Sequence, residues 1–270
     1  MYIGCNWSNS LKFLIEKNEV KIDYIKSGVY GDFMGQFSNI RSITPILLHG
    51  LGYFECAGMK NIDIIDFHFA KNLIKKCGSP HYAIHLAIKN SDIYVGMTDE
   101  DIYKRMSKNI TMFKKNISVP ILLENIPDTP KEHQISIDHY PYIMPDKISR
   151  LIIDNNVSFL LDLTHAKITA QYHGFNVYDY IKELPLERVV EIHVNGSGYD
   201  ENGFPKDTHE AMKNEDYILL EWVLNYTKPK IVTLEYNGIK TEQEDRVRHY
   251  LKKQINEIEK ICGKKQRGNI

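Results

Sequence analysis

Eight short apolar runs, separated by stretches with helical spacing or turn residues, constrain this chain more than any other feature. The runs are Tyr2–Asn6, Lys21–Lys26, Pro45–Gly50, Tyr82–Leu86, Val119–Asn125, Val157–Asp162, Val189–Val194 and Ile231–Tyr236. Most are too apolar for a sheet with one wetted face and read as strands covered on both sides. Between them, apolar residues recur at helical spacing, as at Ile62, Ile65, Phe69 and Leu73 within Asn61–Lys76. Thr98 heads a helix to Lys115, with Asp99, Glu100 and Asp101 in its first turn where the helix dipole favours them. Further helices are expected at Leu11–Lys17, Asp146–Asn155, Val177–Glu183, Asp216–Tyr226 and Thr241–Ile261. Val29–Phe37, with Gly31 and Gly35, reads as loop, and Gly263–Ile270 as a basic, frayed tail. Strand–helix alternation implies a parallel sheet. Eight such units in about 250 residues fit an α/β fold of one domain over 1–270, a closed (β/α)8 TIM barrel.

Charge narrows the partners. The formal net charge is -1 and the pI about 6.8, so no global basic field favours duplex DNA, and nucleic acid is not an expected partner. No apolar run approaches the ~18 residues of a membrane span. The start Met1-Tyr2-Ile3-Gly4-Cys5 reads directly as a strand with no signal-peptide pattern, so a cytoplasmic location is expected. Cys5, Cys56, Cys77 and Cys262 form no CxxC pair and read as free thiols of an intracellular protein.

The polar residues sit where a barrel builds its active site. His49 ends the third strand, His85 lies in the fourth, Glu124 ends the fifth and Asp162 the sixth, with His165 three residues on. His193 ends the seventh, Asp207 and His209 follow in its loop, and Glu235 ends the eighth. If the loop is extended, Asp207 and His209 share a side, because side chains alternate with period two. The strands of Glu124 and Glu235 bring no Lys or Arg to pair with them, and Asp162 could instead cap the next turn. One strand-end histidine alone is more often a hydrogen-bonded core group than a ligand. The set is different: chance would scatter these residues over both ends of the barrel. So many imidazoles and carboxylates in one mouth exceed what acid–base chemistry needs and would be costly uncompensated. Two or three metal ions resolve that cost, and mixed His/carboxylate ligation suits iron, manganese or zinc over magnesium or calcium.

The other histidines read differently. His173 lies near the mouth in Gln171-Tyr172-His173-Gly174-Phe175 and is a candidate catalytic group behind the ligands or facing substrate. His81 starts a strand at the wrong end, His68 lies in a helix, and His133, His139 and His249 are in loop or exposed-helix contexts. No GxSxG elbow, HExxH helix or GxxxxGK[ST] loop occurs.

Leu160-Leu161-Asp162, His173-Gly174-Phe175, Tyr180, Leu184-Pro185, Arg188-Val189, Glu191-Ile192-His193 and Asp207-Thr208-His209 together resemble the multinuclear non-haem iron oxidase family, long known only as a domain of unknown function. Leu48-His49-Gly50, Glu124-Asn125 and Glu235 also match its pattern, so the resemblance spans nearly the whole chain. It implies a (β/α)8 barrel with two or three irons that modifies cysteine-containing peptides with dioxygen, working with a partner protein that delivers the peptide. The family's ligand positions fall on His49, His85, Glu124, Asp162, His193, Asp207, His209 and Glu235. Two departures stand out. Asp162-Leu163-Thr164-His165 replaces Asp-x-Asn-Asn, placing His165 at an Asn ligand position, and Tyr24-Ile25-Lys26-Ser27 replaces an acidic, Asn-bearing strand end. Asp162-x-x-His165 with Asp207-x-His209 also resembles the endonuclease IV and xylose-isomerase-like barrels. That likeness implies as alternatives a zinc-dependent phosphodiesterase or a sugar isomerase or epimerase; a metal-dependent binding protein is a separate, non-catalytic reading.

Overall fold

Each apolar run forms a strand of one parallel sheet. A computed structural model describes residues 1–51, 55–130, 142–236, 238 and 243–267; His133 and His139 lie outside them. The barrel strands are β1 (Tyr2–Asn6), β2 (Tyr24–Ser27), β3 (Ile46–Leu48), β4 (Tyr82–His85), β5 (Ile121–Glu124), β6 (Ser158–Asp162), β7 (Val189–Val194) and β10 (Ile231–Leu234). They order as β3-β2-β1-β10-β7-β6-β5-β4. A parallel bridge from His49, just past β3, to Ala83 of β4 joins the two ends. The result is a (β/α)8 TIM barrel. Its seam is thin: β3 and β4 meet through that bridge, and Cys56 bridges to His85 beside it.

Helices α1 (Asn9–Glu16), α2 (Phe33–Ile43), α3 (Phe67–Cys77), α4 (Asp99–Asn116), α5 (Pro145–Asp154), α6 (Leu163–His173), α7 (Val177–Lys182), α8 (Asn214–Val223) and α9 (Glu244–Arg267) surround the barrel. The large core lies between strands and helices, with fully buried Ile25, Ile84, Leu123, Phe159 and Ile192 facing it. Inside the barrel a small second cluster forms from Ala83, Leu122 and Leu160, with Val190 against it. The Thr98 cap is present as a reciprocal capping box with Asp101. All four cysteines are free and buried.

Four stretches differ from the sequence reading or were not assigned by it. Phe33–Ile43 is helical where glycines suggested loop; burial of Phe33 and Ile40 outweighs the propensity cost of Gly35, about 1 kcal/mol against Ala. Leu163–His173 is a helix too, ended by Gly174 at φ 71°, a left-handed conformation that glycine takes without steric cost. It hid because it is buried nearly all round at its start, so no clear apolar stripe marks it. The basic stretch from Gly263 continues α9 as far as Arg267. The segment after β7 is also more ordered than a loop: β8 (Gly196–Tyr199) and β9 (Pro205–Glu210) pair as an antiparallel hairpin.

Period-two alternation sets the interior. Gly4, Thr233 and His193 align across β1, β10 and β7, and His193 aligns with Asp162 of β6. A Cβ on Gly4 would meet Thr233 Oγ1 at 2.4 Å. Gly4→Ala should therefore overpack the barrel interior and cost about 1–3 kcal/mol, read as a lower denaturant midpoint in equilibrium unfolding.

Candidate metal centre

The inward residue nearest the C-terminal end of each strand carries the chemistry. The mouth is a cavity of about 600 Å³ lined by Asn6, Trp7, Lys26, Ser27, Gly28, Tyr30, His49, His85, Glu124, Ile126, Pro127, His165, Asp207, His209 and Glu235. Asp162 and His193 lie directly beneath, fully buried. The nine strand-end and loop residues singled out in the sequence thus come together in one place.

They fall into two compact groups of donor atoms that share one carboxylate. One is His49, His85 and Glu124; the other is Glu124, Asp162, His193 and Glu235. The two oxygens of Glu124 face different ways. Oε2 is 2.7 Å from His49 Nε2 and 3.4 Å from His85 Nε2, while Oε1 is 3.2 Å from His193 Nδ1. His193 Nδ1 is also 3.5 Å from Glu235 Oε2 and 3.9 Å from Asp162 Oδ2. His165, Asp207 and His209 meet at a single oxygen: Asp207 Oδ2 lies 3.3 Å from His165 Nε2 and 3.1 Å from His209 Nε2. His209 Nε2 is 3.7 Å from Glu235 Oε2, linking this trio to the rest.

Local structure aims each group. Asp162 serves two ends at once, because its Oδ1 accepts from His165 N-H at 2.7 Å and caps α6. Its Oδ2 is buried and accepts no hydrogen bond. Capping and ligation are therefore compatible. Asn125 donates to the Asp162 carbonyl and accepts from its N–H, both at 2.9 Å, tying the ends of β5 and β6. The Asn125 carbonyl takes the Nδ1–H of His165 at 2.8 Å, which turns Nε2 towards Asp207. Asn195 donates to Asp207 Oδ1 at 2.7 Å. His209 stands at φ 50° in the irregular hairpin, a left-handed conformation that costs a non-glycine residue about 1–2 kcal/mol.

One expectation fails, and one candidate sits away from the mouth. Glu235 does have a cationic partner: Lys26, from β2, reaches its Oε1 across the barrel. Sequence order hid this, since β2 and β10 are separated in space only by β1. His173 does not line the mouth. It ends α6, and its Nε2 pairs with Asp128 Oδ2 at 2.6 Å. His81 was missed: it is buried and pairs with Glu191 inside the barrel at 2.5 Å. The available signal was Glu191 itself, a carboxylate on the same face of β7 as His193.

The electrostatics suit a cation site. Burial would raise the Glu124 pKa, but His49 and His193 hold it well below the usual carboxylate range. Burial lowers His49 and pushes His85 down to about 3, leaving neutral imidazoles able to ligate. Burial works against charge on His165, yet Asp162 and Asp207 outweigh it and hold its pKa up to about 10. Asp162 is raised by burial and by neighbouring Glu124 and Asp207. A fully buried, unpartnered carboxylate oxygen among convergent imidazoles and carboxylates is what a divalent cation would satisfy. The donor set therefore fits a metal centre, with His49, His85, Glu124, Asp162, His193 and Glu235 as the compact candidate ligands and His165, Asp207 and His209 beside them.

Known proteins agree with this architecture. The family model described as RiPP precursor modification enzyme MbnB/TglH/ChrH matches residues 18–259. A UPF0276 protein of Bordetella pertussis is 25% identical over 219 residues, covering 77% of this chain and 74% of its own. Among solved structures, the IOLI protein with a binding zinc atom superposes with a TM-score of 0.67 at 15% identity, covering 97% of this chain and 99% of that one. A putative xylose isomerase from Rhodospirillum rubrum gives 0.64 at 11% identity, covering 96% and 98%. At such identities the structural likeness shows the fold alone.

Two outcomes are expected of metal binding. Lys26→Met should cost the metal-free protein about 3 kcal/mol by stranding Glu235, while divalent-cation affinity rises about tenfold or more as a nearby positive charge is lost. Melting with and without metal, plus chelator competition, checks both. Metal uptake at pH 7 should also expel protons from His165 and His193, whose carboxylate neighbours hold their pKa values up, so affinity weakens as pH falls; proton release in weak buffer measures it. In the metal-free protein the His165 shift contributes stability that is complete below its ordinary pKa of about 6.5 and is lost as pH rises through about 10.

Proposed function

Because the chain belongs to the RiPP precursor modification enzyme MbnB/TglH/ChrH family, we propose that it is a multinuclear iron oxidase that modifies cysteine residues of a ribosomally made peptide with dioxygen as oxidant. The observation that carries the metal part of this reading is the shared Glu124 carboxylate, one oxygen towards His49 and His85 and the other towards His193. With one oxygen facing each donor group, Glu124 would help hold an ion in either of them. Iron bound there would supply redox chemistry with dioxygen and a coordination position for a cysteine thiolate.

The chain's own residues then have separable tasks. His49, His85, Glu124, Asp162, His193 and Glu235 hold the ions, and Asn125 and Asn195 orient His165 and Asp207. Trp7 and Tyr30 line the entrance with Lys26, against which a peptide segment would pack. The partners in this reading are a cysteine-containing peptide and a protein that presents it. No helix among the described residues is long and apolar enough to cross a membrane.

A phosphodiesterase on the same barrel is less well supported. Lys26 is the one Lys or Arg among the described residues lining the mouth, and it is committed to Glu235. The mouth thus offers no cationic track for a phosphate backbone.

Elemental analysis of anaerobically purified protein tests the reading. Iron is expected, with dioxygen consumption that depends on a cysteine-containing peptide encoded beside the gene. Stoichiometric zinc without iron, together with cleavage of abasic DNA, would overturn it. Glu124→Ala should remove metal from both groups and abolish turnover, whereas Phe13→Ala, a half-exposed position on α1, should leave metal content unchanged.

A further inference from the structure

One layer beneath the mouth, the barrel holds a carboxylate that the candidate centre does not use as a ligand. Glu191 precedes His193 by two residues on β7, so the two share the inward face. It is 1% exposed. Its Oε1 is 3.2 Å from His193 Nε2 and 2.5 Å from Thr233 Oγ1, and its Oε2 is 2.5 Å from His81 Nε2. The inward residues of β5 and β6 at this depth, Leu122 and Leu160, are apolar. A buried carboxylate costs several kcal/mol to desolvate, and packing alone would favour an apolar side chain here.

Its partners show what it does. A carboxylate only accepts, so the atom of His193 that faces Glu191 must donate: the ring proton sits on Nε2. The other nitrogen, Nδ1, faces Glu124 Oε1, also at 3.2 Å, and donates there in the metal-free protein; a bound cation would replace that proton, while Glu191 keeps the other on Nε2 and leaves the Nδ1 lone pair to the space bounded by Glu124, Asp162 and Glu235. Without Glu191, those three carboxylates would draw the single proton of a neutral His193 to Nδ1 and block the ligand position. His81 and Thr233 hold Glu191 in register, and Gly4 leaves the room that Thr233 needs.

We propose that Glu191, clamped by His81 and Thr233, is a positioning residue that fixes the His193 tautomer and thereby makes Nδ1 a metal ligand. This inference rests on the mouth being a metal centre and is independent of which reaction runs there.

The test is cobalt(II) binding to the full-length protein, followed by chelator competition and by the visible ligand-field spectrum. Glu191→Gln should weaken cobalt affinity by about 10–100-fold and shift the bands. His81→Gln keeps an N–H donor towards Glu191 and should stay within about threefold of wild type. Should the metal-free Glu191→Gln protein melt early, Thr233→Val carries the test, with a loss of about threefold to tenfold expected. Wild-type affinity and an unchanged spectrum in the folded Glu191 variant, or in Thr233→Val where it replaces that variant, would show that Glu191 only packs, and the proposal falls. Wild-type protein that takes up no cobalt overturns the metal centre itself, and this inference with it.

Discussion

The fully buried carboxylate of Glu124 is the constraint on which the rest of this structure depends. A lone carboxylate at that depth would be costly, and three imidazoles from three other places in the chain offset the cost. To meet Glu124, β3, β4 and β7 must deliver His49, His85 and His193 to one level, which a closed parallel barrel does. Among the described residues β3 and β4 are joined by a bridge at His49, so the barrel closes beside the centre it supports.

Compensation runs outward in shells. In the metal-free protein, imidazolium groups and Lys26 supply positive charge that the carboxylates need. Metal ions would take over that role, displacing the proton of His165 and weakening the hold of Lys26 on Glu235. In the proposed centre charge would be balanced between protein cations and bound ones, and residues that are not ligands would tune its affinity. Asn125, Asn195 and Glu191 act the same way through hydrogen bonds, fixing which nitrogen or oxygen faces inward.

Much of this was legible in the sequence because of two periodicities. Apolar strands with polar tips gave the barrel and the ends at which His49, Glu124, Asp162, His193 and Glu235 would gather. Alternation placed Asp207 and His209 on one side, and Asp207 Oδ2 does lie 3.1 Å from His209 Nε2. Helix α6 escaped because a helix buried nearly all round at its start carries no clear stripe, and α2 because Gly31 and Gly35 mimic a loop.

What the amino-acid sequence determined by itself is the barrel and the kinds of donor atom at its mouth, since both follow from local patterns that repeat along the chain. What only the tertiary structure decided is pairing across the barrel. Lys26 finds Glu235 over an intervening strand, and Glu191 finds His81 across 110 residues of chain. His173, close to the mouth in sequence, turns to Asp128 instead. Those choices depend on strand order, register and closure, which place residues from distant strands at one level inside the barrel, and no local period encodes them.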